Sequence, residues 1–163
     1  MPVTTDIVAS YRGPRRVMRR LLALGEHEGR ALATLMAGCA ITFIGQWPRL
    51  ARQAHLEEVE LQPLLGGALM GWIFIAPLAF YLLAFLAYLV SRAFGATGTA
   101  YDSRFAMFWS YLAASPFILL HGLVAGFVGP GPGLTAVGVI WLIIFGWFWL
   151  SNMREAGWGA ETA

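Results

Sequence analysis

LLGGALMGWIFIAPLAFYLLAFLAYLV, Leu64 to Val90, is an unbroken run of 27 residues without an Asp, Glu, Lys or Arg. At about 1.5 Å per residue a helix of this length is about 40 Å long. The hydrocarbon core of a bilayer is about 30 Å thick and needs about 20 apolar residues to cross. The run is therefore long enough to span and must tilt or kink to fit. In lipid a backbone has to satisfy its own hydrogen bonds, which makes a helix the expected form. The strict alternation of a membrane β-barrel strand is absent.

Three further apolar runs flank it, Ala31–Trp47, Phe105–Val128 and Leu134–Leu150, and none holds an Asp, Glu, Lys or Arg. The first and last are 17 residues each, at the lower limit for a span. The whole chain of 163 residues is 58% hydrophobic and 12% charged, with a mean hydropathy of +0.65. Soluble domains carry about twice that charged fraction, and a chain this short has too little interior to hide so much apolar surface. The expected fold class is an all-α membrane protein: a four-span helical bundle with an N-terminal amphipathic interfacial helix. Residues 1–30 are expected to form a cytoplasmic amphipathic segment, residues 31–150 the transmembrane domain, and residues 151–163 a cytoplasmic tail. The first apolar run begins too far into the chain for a secretory leader, and no small-residue cleavage site follows it. It is expected to be a retained span.

Arginine placement sets the expected orientation. The chain has no lysine, and six of its arginines lie at or before Arg30. With the N-terminus inside, Arg92, Arg104 and Arg154 also fall inside, and only Arg49 and Arg52 fall outside. The positive-inside rule then places both termini in the cytoplasm; the expected location is the inner (cytoplasmic) membrane, as a multi-pass protein. Trp47 would mark the outer end of the first span; Trp109, Trp147 and Trp149 would mark inner ends, at headgroup level. Trp72 and Trp141 read as packing aromatics. Pro48–Pro63 is expected to be an outer loop, with a turn or two on the surface, and Gly129–Gly133 a tight turn.

Residues 14–24 are amphipathic. At about 100° per residue, Arg15, Arg16, Arg19 and Arg20 share one arc, and Val17, Met18, Leu21, Leu22 and Leu24 the opposite one. Pro14 suits the first helical position and Gly25 the stop. The segment is expected to lie in the cytoplasmic interface, apolar face toward lipid, with its arginines on anionic headgroups at about 1 kcal/mol each. Nucleic-acid binding is not expected, because the apolar face and the adjacent span argue for the membrane surface.

Within the spans, chemistry-bearing side chains are few. His121 is the one histidine in a span, about 10 Å from the outer end of the third. Intramembrane ionisable groups are functional candidates; the plainer expectation is a neutral imidazole hydrogen-bonded to a neighbouring helix, with Thr42 and Gln46 at comparable depth. A bis-histidine haem lacks its second histidine, a zinc site lacks a ligand cluster, and Cys39 has no partner for thiol redox chemistry. No cofactor, metal or catalytic residue is expected. Pro77 and Pro116 should kink the second and third spans by removing an N–H and crowding the carbonyls of Ile73 and Leu112. Gly67 and Gly71, and Gly122 and Gly126, sit four apart and can bring helix backbones close.

Three segments together resemble the Yip family, the Ypt-interacting polytopic membrane proteins, in its bacterial form. They are Gly13-Pro-Arg-Arg-Val-Met-Arg-Arg-Leu-Leu22, similar to the family's proline-led basic start; Phe94-Gly-Ala-Thr-Gly-Thr-Ala-Tyr101, similar to its glycine-containing cytoplasmic loop; and Trp109-Ser-Tyr-Leu-Ala-Ala-Ser-Pro116, similar to its Tyr-then-Ser-Pro kinked helix. Family members commonly have five spans where this chain shows four runs. The resemblance implies a membrane scaffold or adaptor that is not an enzyme and acts through helix packing and partner contact. An accessory subunit of a larger inner-membrane complex is the second expectation, and a small transporter or channel the third. The expected partners are the lipid bilayer with its anionic headgroups, and other membrane proteins or a second copy of the chain.

Overall fold

The structure, a computed structural model, describes residues 3–159. Among them the chain is helical, in the order α1 (Val3–Ser10), α2 (Pro14–Leu22), α3 (Glu28–Leu56), α4 (Leu61–Leu69), a π-helical turn (Met70–Ile75), α5 (Ala76–Ala93), α6 (Ala100–Ala113), α7 (Ser115–Phe127) and α8 (Pro132–Trp158). Three helical units are long and apolar enough to cross a membrane: α3, the continuous rod Leu61–Ala93, and α8. The pair α6–α7 joins them only as a unit bent by 44°. The chain is thus an all-helical, multi-pass membrane protein with three or four candidate spans.

Burial explains why lipid is required. In the most apolar stretch of Leu61–Ala93 only 11% of residues are buried, and in that of α8 only 6%. Leu78, Leu82, Phe85, Leu142, Ile143 and Leu150 all face outward. Soluble monomers rarely expose apolar patches of such extent. The protein interior is centred instead on α6, in which every residue from Phe105 to Ala113 is buried. Helices α3, α5 and α8 pack around it, and α1 covers part of what remains.

Pro77, Pro116 and Pro48 are handled differently. Before Pro77 the helix widens into the π turn, where the N–H of Ala76 reaches the carbonyl of Gly71, five residues back. The extra residue per turn accommodates the missing donor of Pro77 without a sharp break. At Pro116 the helix does break: α6 ends at Ala113, α7 begins at Ser115, and the axis turns. Pro48 interrupts nothing, since α3 runs through it to Leu56. The outer loop expected over Pro48–Pro63 is therefore mostly helix, and the connection shrinks to residues 57–60, where Glu58 takes φ +53°. Proline is tolerated in membrane helices because neighbouring elements satisfy the freed backbone groups.

The far end also differs from expectation. Residues 151–158 continue α8 rather than forming a tail; residues 160–163 of the expected tail, like residues 1–2, lie outside the described residues. Of the glycine pairs, Gly122 and Gly126 mark a close crossing: a Cβ on Gly122 would sit 1.8 Å from the Gly45 carbonyl oxygen, and one on Gly126 would meet Pro48 at 2.3 Å. Gly67 and Gly71 make no such contact, with nothing within 4 Å of either position. Their face points away from the bundle.

Candidate functional site

Two polar assemblies stand out, one at the cytoplasmic-facing end expected from the arginines and one inside the bundle. The first is built by the N-terminal arm, α1 and α2. Pro14 opens α2 at its first turn, and Gly25, at φ +82°, follows its end. Both agree with the sequence pattern. The position of the apolar face does not. Val17, Met18 and Leu21 are buried within the protein core, and α2 lies along α8. Most of the expected lipid-facing surface is covered by protein because the last two turns of α8 extend far enough to receive it, while Leu24 stays exposed.

The arginines divide accordingly. Glu155 on α8 is buried, and it accepts from Arg15 Nε at 3.3 Å and from Arg19 Nε at 2.6 Å. The hydrogen bond and charge of Glu155 hold the Arg19 guanidinium above its ordinary pKa. Arg20 pairs with Asp6 of α1. Arg16 is exposed beside Arg12 at a surface depression of about 470 Å³. A second set of bonds seats α1 on α6. Trp109 Nε1 donates to Ser10 Oγ at 3.1 Å, and Ser10 Oγ donates to the Asp6 carbonyl at 2.8 Å. Trp109 is thus a buried packing residue and not a headgroup marker. Fully buried Asn152 donates to Ser110 Oγ at 2.8 Å, which ties α8 to α6 below this contact.

Tyr11 closes the arm. Its phenol donates to the Ala113 carbonyl at 2.9 Å, at the break between α6 and α7. Broken helices leave carbonyls in need of donors, and Tyr11 supplies one. Burial raises the Tyr11 pKa. A raised folded-state value means that this contribution is present below the unfolded pKa of about 10 and is lost as pH rises past it. Alkaline titration should therefore increase protease cleavage of the arm above about pH 10. Tyr11→Phe should remove that step and lower stability by about 1 kcal/mol, measured by thermal unfolding in detergent.

The second assembly gathers the three intramembrane polar residues singled out above. Thr42, Gln46 and His121 line one pocket of about 640 Å³, together with Trp72 of the π turn, Tyr111 of α6 and Trp141 of α8. Thr42 Oγ1 donates to the Gly38 carbonyl at 2.9 Å, so Tyr111 is the donor in its 2.5 Å bond to Thr42. His121 and Gln46 share the cavity with this pair, yet neither hydrogen-bonds to any described residue. The helix-to-helix bond expected of His121 is not made. A neutral imidazole carries one donor and one acceptor, and a carboxamide both kinds, so the pocket wall presents open hydrogen-bonding capacity. Among the described residues no group of three His, Cys, Asp or Glu side chains could hold a metal ion. Cys39 is buried.

Sequence reasoning missed α1, the role of Glu155, and Tyr111. Glu155 could have been noticed, since it is an acidic residue directly after an apolar span, opposite in charge to the arginine helix. Tyr111 is visible in the sequence only as the tyrosine of the segment Trp109–Pro116, which does not reveal its bond to Thr42. Arg30 was counted only as a topology marker; it donates to Tyr101 Oη at 3.0 Å and lies 5.2 Å from the centre of the Phe105 ring, fastening the start of α3 to α6. Comparison of the chain with protein-family models, with curated proteins and with solved structures returns no match.

Proposed function

We propose that this is a four-span protein of the inner membrane, with α6–α7 as one bent span and both termini cytoplasmic. It acts as a Yip-like scaffold or adaptor, by contact and not by catalysis. The observation that supports this most is the docked arm. Two short helices are joined to each other by the Asp6–Arg20 pair and fixed to α6 and α8 by Ser10 and Glu155, and they leave Arg12 and Arg16 exposed. An ordered basic surface of this kind suits attraction to an acidic partner or to anionic headgroups. The buried apolar face of α2 leaves electrostatics, rather than insertion, as the means of contact.

A second reading rests on the open glycine face. Gly66, Gly67 and Gly71 are unopposed, and small residues allow another membrane helix to approach closely. That is what an accessory subunit of a larger complex would present. A photo-crosslinking residue placed at Arg16 and, separately, at Gly67 discriminates in intact cells. A discrete protein adduct from Arg16 supports the adaptor. A stoichiometric adduct from Gly67, lost in Gly71→Leu, supports the subunit. Adducts to lipid alone at both positions would remove both readings.

A further inference from the structure

We infer that the His121 pocket is a binding site for a lipid-soluble molecule with an uncharged, oxygen-bearing head and a hydrocarbon tail. The head chemistry follows from the wall. His121 and Gln46 line the cavity, and neither side chain hydrogen-bonds to a described residue. In an apolar medium such groups are stabilised by a partner that replaces water. No Asp, Glu, Lys or Arg lines the pocket, so a phosphate, carboxylate or ammonium head would lie there without a counter-charge. The remaining wall is mostly apolar, with aromatic Trp72, Phe80 and Trp141 beside aliphatic Ile118, Leu134, Val139 and Leu142, and can hold a flat conjugated ring or a planar ester.

The tail chemistry follows from what adjoins the pocket. Helices α5 and α8 flank α6 and leave between them a furrow of about 740 Å³, lined almost wholly by apolar side chains. Phe80 and Trp141 line both cavities, so the two lie next to each other, as the tail and head ends of the proposed trough. Along α8 the trough is paved by Trp141, Phe145 and Trp149, whose rings stack at interplanar angles of 8° and 16°. On α8 the furrow lining runs from Trp141 past Arg154 to Trp158, over which the helix rises about 26 Å. That is longer than one leaflet of a hydrocarbon core of about 30 Å. A hydrocarbon chain can therefore lie along the trough while its head reaches His121. The π turn fixes Trp72 at the rim, in keeping with the frequent placement of such turns at functional sites.

Two membrane components share this chemistry, a ring-headed quinone and a glyceride ester, and one titration separates them. Full-length protein in neutral detergent micelles is titrated with a decyl-substituted benzoquinone, with a brominated diacylglycerol, and with an equally brominated phosphatidylcholine as charged-head control. Each quenches tryptophan emission on contact. The expected result is saturable quenching by the quinone or by the diacylglycerol, which names the source, and only linear quenching by phosphatidylcholine. His121→Leu removes the polar wall. Gly138→Leu fills the mouth without a backbone clash, since a Cβ there would lie 3.5 Å from His121 Nε2. Both should weaken saturable binding at least about tenfold, equivalent to about 1.4 kcal/mol. Gly146→Leu, on the same helix with nothing within 4 Å, should not. Linear quenching by all three compounds, saturation by phosphatidylcholine, or saturable binding that survives both pocket variants would overturn the inference.

Discussion

Gly122→Val should leave little protein folded after mild heating in detergent. The added Cβ would lie 1.8 Å from the Gly45 carbonyl oxygen. That neighbour is backbone, so the conflict can be relieved only by moving α7 off α3. These two helices form the most extensive pairing in the molecule. Overpacking against movable side chains typically costs about 1–3 kcal/mol, and a backbone clash should exceed that. The same change at Gly67 meets open space and should alter the unfolding temperature little. A thermal unfolding series on Gly122→Val, Gly126→Val and Gly67→Val checks the difference. Equal stability of Gly122→Val and Gly67→Val would show that α3 and α7 do not cross as closely as described.

Tyr111→Ala should be the second severe change. Tyr111 is among the largest fully enclosed side chains. Its ring packs 4.4 Å, centre to centre, from Phe80 and covers Gly38, where a Cβ would come within 2.7 Å of Tyr111 Cδ1. Truncating a large aromatic in a packed core costs about 3–5 kcal/mol, through lost contacts and the cavity left behind. Tyr111→Phe keeps the ring and loses only the bond to Thr42, which should cost about 1 kcal/mol. The explanation also makes a coupling testable. Gly38→Ala should destabilise the wild-type chain but be nearly harmless in Tyr111→Ala, because the ring it strikes is gone. Additive effects in this double-mutant cycle would argue against direct packing of the two residues.

The spans were legible because lipid imposes a simple demand. Charge-free runs of sufficient length must be helices, and the run from Leu64 to Val90 falls within one continuous rod. The same rule misplaces helix ends, since it registers where side chains become polar and not where backbone hydrogen bonds stop. Helices α3 and α8 both continue into polar sequence, to Leu56 and Trp158. The amphipathic pattern of residues 14–24 falls on α2, Pro14–Leu22, in which Val17, Met18 and Leu21 are buried. A face of that kind can be covered equally by lipid or by protein, and periodicity does not distinguish them. What decides is Glu155, 140 residues from Arg15 along the chain and in contact with it.

The same limit applies to small residues. Gly67 and Gly122 carry the same motif, yet one faces outward and the other lies against a backbone carbonyl. Spacing identifies the capacity for close approach and leaves the partner unnamed. For the polar pocket, similar depth was enough to place Thr42, Gln46 and His121 together. It was not enough to foresee that Thr42 would be occupied by Tyr111 and the other two left without a bond.

The proposed chain is threaded through a bilayer with its arginine-rich ends inside. Labelling of single cysteines in intact cells by a membrane-impermeant maleimide tests this most directly, in a Cys39→Ala background. Glu57→Cys and Gly131→Cys, at the ends that connect α3 to α4 and α7 to α8, should label without permeabilisation. Glu26→Cys and Phe94→Cys should label only after the membrane is opened. The reverse pattern, or labelling of Glu26→Cys and Glu57→Cys from the same side, would contradict the threading on which the whole account depends.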